Sequence, residues 1–360
     1  LTTNAVVGQI QIEVTATKSN VSRSGNLGVF NGKVLTTTTL SLDPSNGSVY
    51  GQPVVVRATV RAKEGSYVPT GPVKFKQGVT TIDSCSSVSP SNGVATCTLN
   101  WLEPGTYNFS ADYLGDEVSE TSSSQSLSHT VIKASTSIEI GTSHPTFALE
   151  GDTITFTATV KPVAPGAAQP GEPTGTITFT ASDGTLLNGG NPVTLVNGVA
   201  TISTSDLKAG YVTITTVYNG DGHFFGSSNT YVQHVYTIPE VTLDPIDDLK
   251  LVGETVTFTA AATGFPTPTV QWQVSIDDGA SYTDIDGATS TTYSFTAAPE
   301  HDQDRFRAVF TNPAGSAIST ANLLTVRQPP SFTSGDAATF EVGEPGSFAV
   351  TADGILPPEI

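Results

Sequence analysis

The residues in this chain that could carry chemistry are few and scattered. Two cysteines, Cys85 and Cys97, fall close together, and five histidines stand at His129, His144, His223, His234 and His301. Acidic residues gather at Asp244, Asp247 and Asp248, and again at Asp277, Asp278, Asp284 and Asp286. No histidine lies two to five residues from another His or Cys, so zinc spacing is missing and solvated turn or strand positions are expected for all five. Serine is abundant, but no Gly-x-Ser-x-Gly sits on a strand-to-helix turn. No Gly-rich run leads into Gly-Lys-Thr/Ser, the phosphate-cradling loop. The paired aspartates lie in polar stretches without the apolar surroundings that would raise a carboxylate for acid catalysis. They offer the hard oxygens that calcium favours, yet their spacing is not that of an EF-hand loop. Aspartate is also a common turn former, so turn chemistry is the preferred reading and calcium the alternative. No catalytic, cofactor or metal residue is expected, and no enzyme.

The elements that would hold these residues are strands. Of the 360 residues, 37% are hydrophobic and only 13% charged, and Thr, Ser, Val and Gly dominate. That mixture suits half-buried pleated strands joined by tight turns, and no stretch shows sustained apolar residues at helical spacing. The formal net charge is −18, which repels phosphate backbones and anionic lipid. Nucleic acid is therefore not an expected partner, and the charge reads as solubility in a crowded wall. No apolar run is long enough to span a bilayer, so direct membrane insertion is not expected. A chain that starts at Leu1 reads as a mature or excised piece, and the cysteine pair points to an oxidising, extracellular setting at a cell surface or cell wall.

One strand type recurs with a period of roughly 90 to 105 residues. Gly51 is followed by Val54, Val56, Ala58 and Val60; Gly151 by Ile154, Phe156, Ala158 and Val160; Gly253 by Val256, Phe258, Ala260 and Ala262. Thr153, Thr155, Thr157 and Thr159 fill the alternate positions of the second copy, the mark of a strand with one face in a core and one in water. The first two copies agree further. Thr70 to Phe75 matches Thr174 to Phe179, and Asn92-Gly93-Val94-Ala95-Thr96 recurs as Asn197-Gly198-Val199-Ala200-Thr201. Tyr113-Leu114-Gly115-Asp116 matches Tyr218-Asn219-Gly220-Asp221, whose aspartates read as structural turn residues. The register sets Cys85 and Cys97 on successive strands about the Asn92-Gly93 turn, close enough for an intradomain disulfide.

These motifs resemble the bacterial immunoglobulin-like repeat of the group-3 kind, over roughly 36–132 and 135–238. The third copy resembles an intermediate-set immunoglobulin domain, through Gly264-Phe265-Pro266, Val270-Gln271-Trp272 and Asp304-Arg305-Phe306-Arg307-Ala308. That resemblance implies that Trp272 packs the sandwich centre. The family's two core cysteines would fall at Ala260 and Ala308, and Phe306 replaces its corner tyrosine, so packing around Trp272 must hold this copy together.

The fold class expected is all-β, tandem immunoglobulin-like sandwiches. The divisions are 1–34, the final strands of a preceding domain; 35–132 and 133–238, the group-3 pair; 239–327, the intermediate-set-like domain; and 328–360, the start of another. Ile10, Ile12, Val14 and Ala16 alternate like a late strand ahead of a turn-rich stretch from Ser22 to Gly28. Short linkers are expected at 131–135, 236–240 and 327–330, with Pro239, Pro329 and Pro330 stiffening two of them. The incomplete ends leave two explanations open: truncation, or a composite sandwich of 331–360 with 1–34 of an identical subunit. The two pieces total about 65 residues against the roughly 90 of a repeat, which favours truncation. The function expected is a structural spacer in a bacterial surface or filament-forming protein, with neighbouring immunoglobulin-like domains as partners. The alternatives are an adhesin for a glycan or protein ligand, and a non-catalytic accessory region of a secreted enzyme.

Overall fold

Strict apolar–Thr alternation produces sandwiches. The computed structural model describes residues 32–354 and, ahead of them, the backbone of four three-residue strands. Apart from three 3-10 turns at Asp83–Cys85, Leu187–Gly190 and Pro299–His301, all regular structure among the described residues is β. Three separate hydrophobic cores follow one another along the chain. The repeated strand lies at the centre of each: Val54–Ala62 and Ile154–Pro162 bury every second residue, and Val256, Phe258 and Ala260 are buried in the third. Ala262, the fourth residue of that set, is only half-buried, because after Thr259 the strand is interrupted and its continuation pairs elsewhere.

In the first sandwich Val54–Ala62 pairs between Thr36–Asp43 and Val94–Leu99. The facing sheet runs Ser48–Val49, Leu127–Ile132, Gly105–Tyr113, Val73–Gln77 and Thr80–Thr81. The second sandwich repeats this order with Ile154–Pro162 between Thr136–Thr142 and Val199–Thr204. In the third, Thr255–Thr259 pairs with Thr292–Thr296, facing a sheet built on Asn322–Arg327, Arg305–Asn312 and Thr269–Ser275. Pairing in these sheets is antiparallel with one recurrent exception: Ser48–Val49, Ala148–Leu149 and Asp248–Leu251 each run parallel to the last strand of their own sandwich. Both residues of each Asn-Gly pair have positive φ, Asn92 and Gly93 at 51° and 75°, Asn197 and Gly198 at 52° and 74°. A tight hairpin turn whose twist matches its strands requires that conformation.

Three expectations need correction. Residues 236–240 are not a linker: one 17-residue strand, Ser227–Leu243, closes the second sandwich and then pairs with Ala261–Phe265 of the third. Pro239 has no N–H to give a ladder, and it sits where the register shifts between Thr237 and Glu240. Cys85 is not on a strand but in the 3-10 turn Asp83–Cys85, where the polar stretch after Thr80–Thr81 folds back. Finally, the stretch from Ser22 to Gly28 holds strand backbone: Val21–Arg23 pairs with Ala16–Lys18, and Asn26–Gly28 with Gln11–Glu13. Of the alternation read over 10–16, Ile10 and Val14 lie outside the described residues. At the far end Ser331–Phe332 pairs with Ala352–Asp353, while Phe332, Phe340, Val342, Phe348 and Val350 are exposed.

Candidate functional site

Most of the aspartates that invited a metal reading are engaged by neighbouring backbone and side-chain donors. Asp277 takes the backbone N–H and hydroxyl of Ser281 and the hydroxyl of Ser275, and these donors hold its carboxyl at about 2. Asp278 pairs with Arg305 at 2.8 Å, Asp284 accepts from the Gln273 amide, and Asp248 pairs with Lys250 at 3.5 Å. Asp244 and Asp247 accept the backbone N–H groups of Thr320 and Leu323, each at 2.6 Å. Among the described residues no three His, Cys, Asp or Glu side chains converge as a metal would need. Two shallow clefts contain one carboxylate each, Asp206 and Glu150, and no His, Cys or Lys beside it to form an acid–base pair.

Asp116 and Asp221 anchor the same turn in two copies. The Asp116 carboxylate accepts from the backbone N–H groups of Thr70, Gly71, Val118 and Ser119 and from the hydroxyls of Tyr67 and Tyr113. Burial alone would raise its carboxyl, but these donors hold it far below the usual carboxylate range. Asp221 repeats the arrangement on Thr174, His223 and Phe224. In the first core a disulfide joins Cys85 to Cys97, which lies on Val94–Leu99. In the third, Trp272 is fully buried and donates its indole N–H to the Ser290 carbonyl at 2.8 Å. Phe306 is buried with it, its ring 5.0 Å from that of Phe258, and Ala260 and Ala308 are fully buried.

Two of the five histidines, His129 and His223, depart from the expectation of solvated positions. His129 faces inward on Leu127–Ile132, buried against Ser48, whose hydroxyl lies 2.9 Å from its Nε2. His223 joins two sandwiches. It belongs to the second, at the turn anchored by Asp221, yet its ring stacks on Tyr50 of the first, centroids 4.1 Å apart and planes within 10°. Its Nδ1 lies 2.5 Å from Glu172 of its own sandwich and its Nε2 2.7 Å from Glu103 of the first.

Local folding explains why these groups meet. Tyr50 follows the short strand Ser48–Val49, and its N–H donates to the Ile132 carbonyl, which points the ring at the next sandwich. There it is fully buried as a member of the second core, edge-on to Phe224. Its hydroxyl donates to Glu172 and accepts from the Gln169 side chain at 2.8 Å. Glu172 and Gln169 come from the Pro- and Gly-rich loop after Ile154–Pro162. Gly51, at φ 78°, lets that loop approach: a Cβ there would sit 2.5 Å from the Ala167 backbone. Trp101 flanks the joint 5.9 Å from Tyr50, itself held at φ 56°, a conformation costly for a bulky residue. The chain crosses in three residues, 133–135, and Ala134 is already buried in the second core.

The next joint is made differently, by the continuous strand Ser227–Leu243. Around it Phe147 stacks on Tyr236 at 4.9 Å, Tyr211 meets Phe265 at 5.2 Å, and Asn312 donates its amide to the carbonyls of Thr237 and Pro266. Sequence reading passed over these joint residues because it followed what the copies share. Their signal lies in the differences: Tyr50 stands where the second copy has Glu150, and His223 and Glu172 where the first has Val118 and Val68.

Comparison with protein families agrees with this architecture. The family described as bacterial Ig-like domain (group 3) matches residues 40–132 and 141–236, and one described as a domain of unknown function matches 252–328. Endoglucanase C of Cellulomonas fimi is 44% identical over 126 residues, which cover 34% of this chain and 11% of that enzyme. Among solved structures, the N-terminal eight Ig domains of Down Syndrome Cell Adhesion Molecule align with a TM-score of 0.44 at 15% identity, covering 87% of this chain and 39% of that one. The three N-terminal domains of the bacteriophage RB49 highly immunogenic outer capsid protein align at 0.44 and 13% identity, covering 80% and 99%. The Ig-like architecture is a non-catalytic one. With the two group-3 matches together spanning more than half of its residues, this chain belongs to the family of bacterial Ig-like domains (group 3).

Proposed function

We propose that this chain is a stiff, non-catalytic spacer within a longer extracellular bacterial protein. The observation that carries the reading is the fixing of both joints: Tyr50 is buried in its neighbour's core, and one strand runs unbroken from the second sandwich into the third. A flexible tether would separate its domains by polar chain and leave their ends solvated. The disulfide and the strongly acidic composition support an extracellular setting. The test is small-angle scattering of the chain beside Tyr50→Ala. A stiff spacer gives one compact distribution of interdomain distances that broadens in the variant. Indistinguishable curves for the two proteins would remove the reading.

A second reading places the spacer in a secreted glycan hydrolase, as an accessory region beside a catalytic part outside these residues. The 44% identity to endoglucanase C favours it. Binding of the purified chain to insoluble glucan separates spacer from adhesin. A spacer stays in the supernatant, and saturable retention would replace this reading with a binding one.

A further inference from the structure

His223 stands between two acids and two sandwiches at once. The bridge alternates between them: Glu103 of the first, His223 and Glu172 of the second, and Tyr50 of the first again. Both ring nitrogens face carboxylate oxygens, at 2.5 and 2.7 Å. A carboxylate only accepts, so both nitrogens must donate, and only the protonated imidazolium has two N–H groups. A neutral ring would turn one lone pair on a carboxylate. Glu103 would then be the group to leave, because its side chain is 63% exposed while that of Glu172 is 13% exposed and also tied to Tyr50 and the Gln169 N–H.

We propose that the proton on His223 latches the first sandwich to the second, so that the joint is fixed under mildly acidic conditions and released as the pH rises. The inference rests on the spacer reading and adds its control. The groups facing His223 are these: Tyr50 on its ring face, Glu103 and Glu172 at its nitrogens, and Asp221, which accepts its backbone N–H at 2.8 Å. Lys133 donates to the Asp221 carbonyl at 2.5 Å, so its charge lies behind the turn. Burial disfavours the His223 charge, but the carboxylates of Glu172 and Glu103 outweigh it and raise the pKa above the ordinary 6.5. A proton held more tightly in the docked state contributes docking stability in full below that ordinary value. The contribution is lost as pH climbs through the raised, docked value. The release therefore falls on the alkaline side of neutral histidine titration.

The full chain tests this with spin labels at Thr37→Cys and Thr201→Cys, exposed strand positions on the two sandwiches. Pulsed dipolar distances are read at about pH 5.5 and about pH 8.5, on either side of a raised histidine value. A narrow distribution in acid that widens in base, together with loss of the difference in His223→Gln, supports the latch. Glu103→Gln is the second variant, exposed and outside the second core. It should shrink the pH dependence and lower the His223 titration seen by NMR of labelled histidine. A narrow distribution at both pH values overturns the latch and leaves the spacer standing. A broad one at both overturns the spacer, and the latch with it.

Discussion

Trp272 has the largest side chain among the fully buried residues, and no disulfide shares its task. Trp272→Ala should cost the third sandwich about 3–5 kcal/mol. Hydrogen exchange would show protection lost over 255–327 and kept over 36–236; uniform loss would mean that the sandwiches unfold as one unit. In the first core, Cys85→Ser with Cys97→Ser should cost about 3 kcal/mol by the loop-closure argument, read as a lower denaturation midpoint for that sandwich. Asp116 gives a pH signature. Its depressed carboxyl contributes stability that is complete above the unfolded value near 3.8 and lost as pH falls through the folded value. Asp116→Asn should therefore flatten the acid limb of the stability curve while costing roughly 1–3 kcal/mol at neutral pH, where donors lose an ionic acceptor. An unchanged acid limb would assign the limb to other groups. The Gly-Asp turns were legible in the sequence because they recur at a repeat position, and Trp272 because of the immunoglobulin-like motif around it. The cysteine pair was legible from its closeness in the chain, although Cys85 lies in a turn and not on a strand. His223 was not, because its chemistry arises from Glu103, Glu172 and Tyr50, which lie far from it along the chain.

Alternating strands were readable one by one, and the repeated Val54, Ile154 and Val256 runs fall where their period of two places them. What escaped was continuity. Pro239 reads as a linker residue, but a proline at a register shift leaves its strand intact, so two sheets share Ser227–Leu243. Asn312 secures that crossing through Thr237 and Pro266. Asn312→Ala should loosen the second joint and destabilise the third sandwich by about 1 kcal/mol, because two half-buried carbonyls lose their donor. Thermal unfolding followed by exchange at 237–265 would register it; full protection there would show that the strand alone suffices. The acidic loops make the opposite case. Their carboxylates close turns without help, so melting temperatures in excess calcium and in chelator should agree within a few degrees. A large fall in chelator would restore the calcium reading of Asp277 to Asp286.

Along the described residues each sandwich has its own core, Tyr50 apart, and the two joints between them are not alike. The first includes a His and two Glu side chains that can titrate, while the second is carried chiefly by a continuous strand. Composition and repeat length anticipate the succession of sandwiches, yet joint character depends on the few residues by which copies differ. One recurrent pairing reaches further. In every sandwich a strand near the entry runs parallel to the strand that leaves: Ser48–Val49 beside Val131 and Ile132, Ala148–Leu149 beside Val235 and Tyr236, Asp248–Leu251 beside residues 324–327. Tension applied to the two ends of the chain slides such neighbours in opposite directions. Their evenly spaced bonds are then sheared together, and none can be peeled before the next. The first two sandwiches oppose the pull with two paired residues and the third with four. Stretched singly between surfaces, the chain should yield its first two sandwiches at lower force and its third last, and a third that gives way first would refute the assignment. On the proposed spacer reading, a chain of this design would lengthen in steps under load, one sandwich at a time.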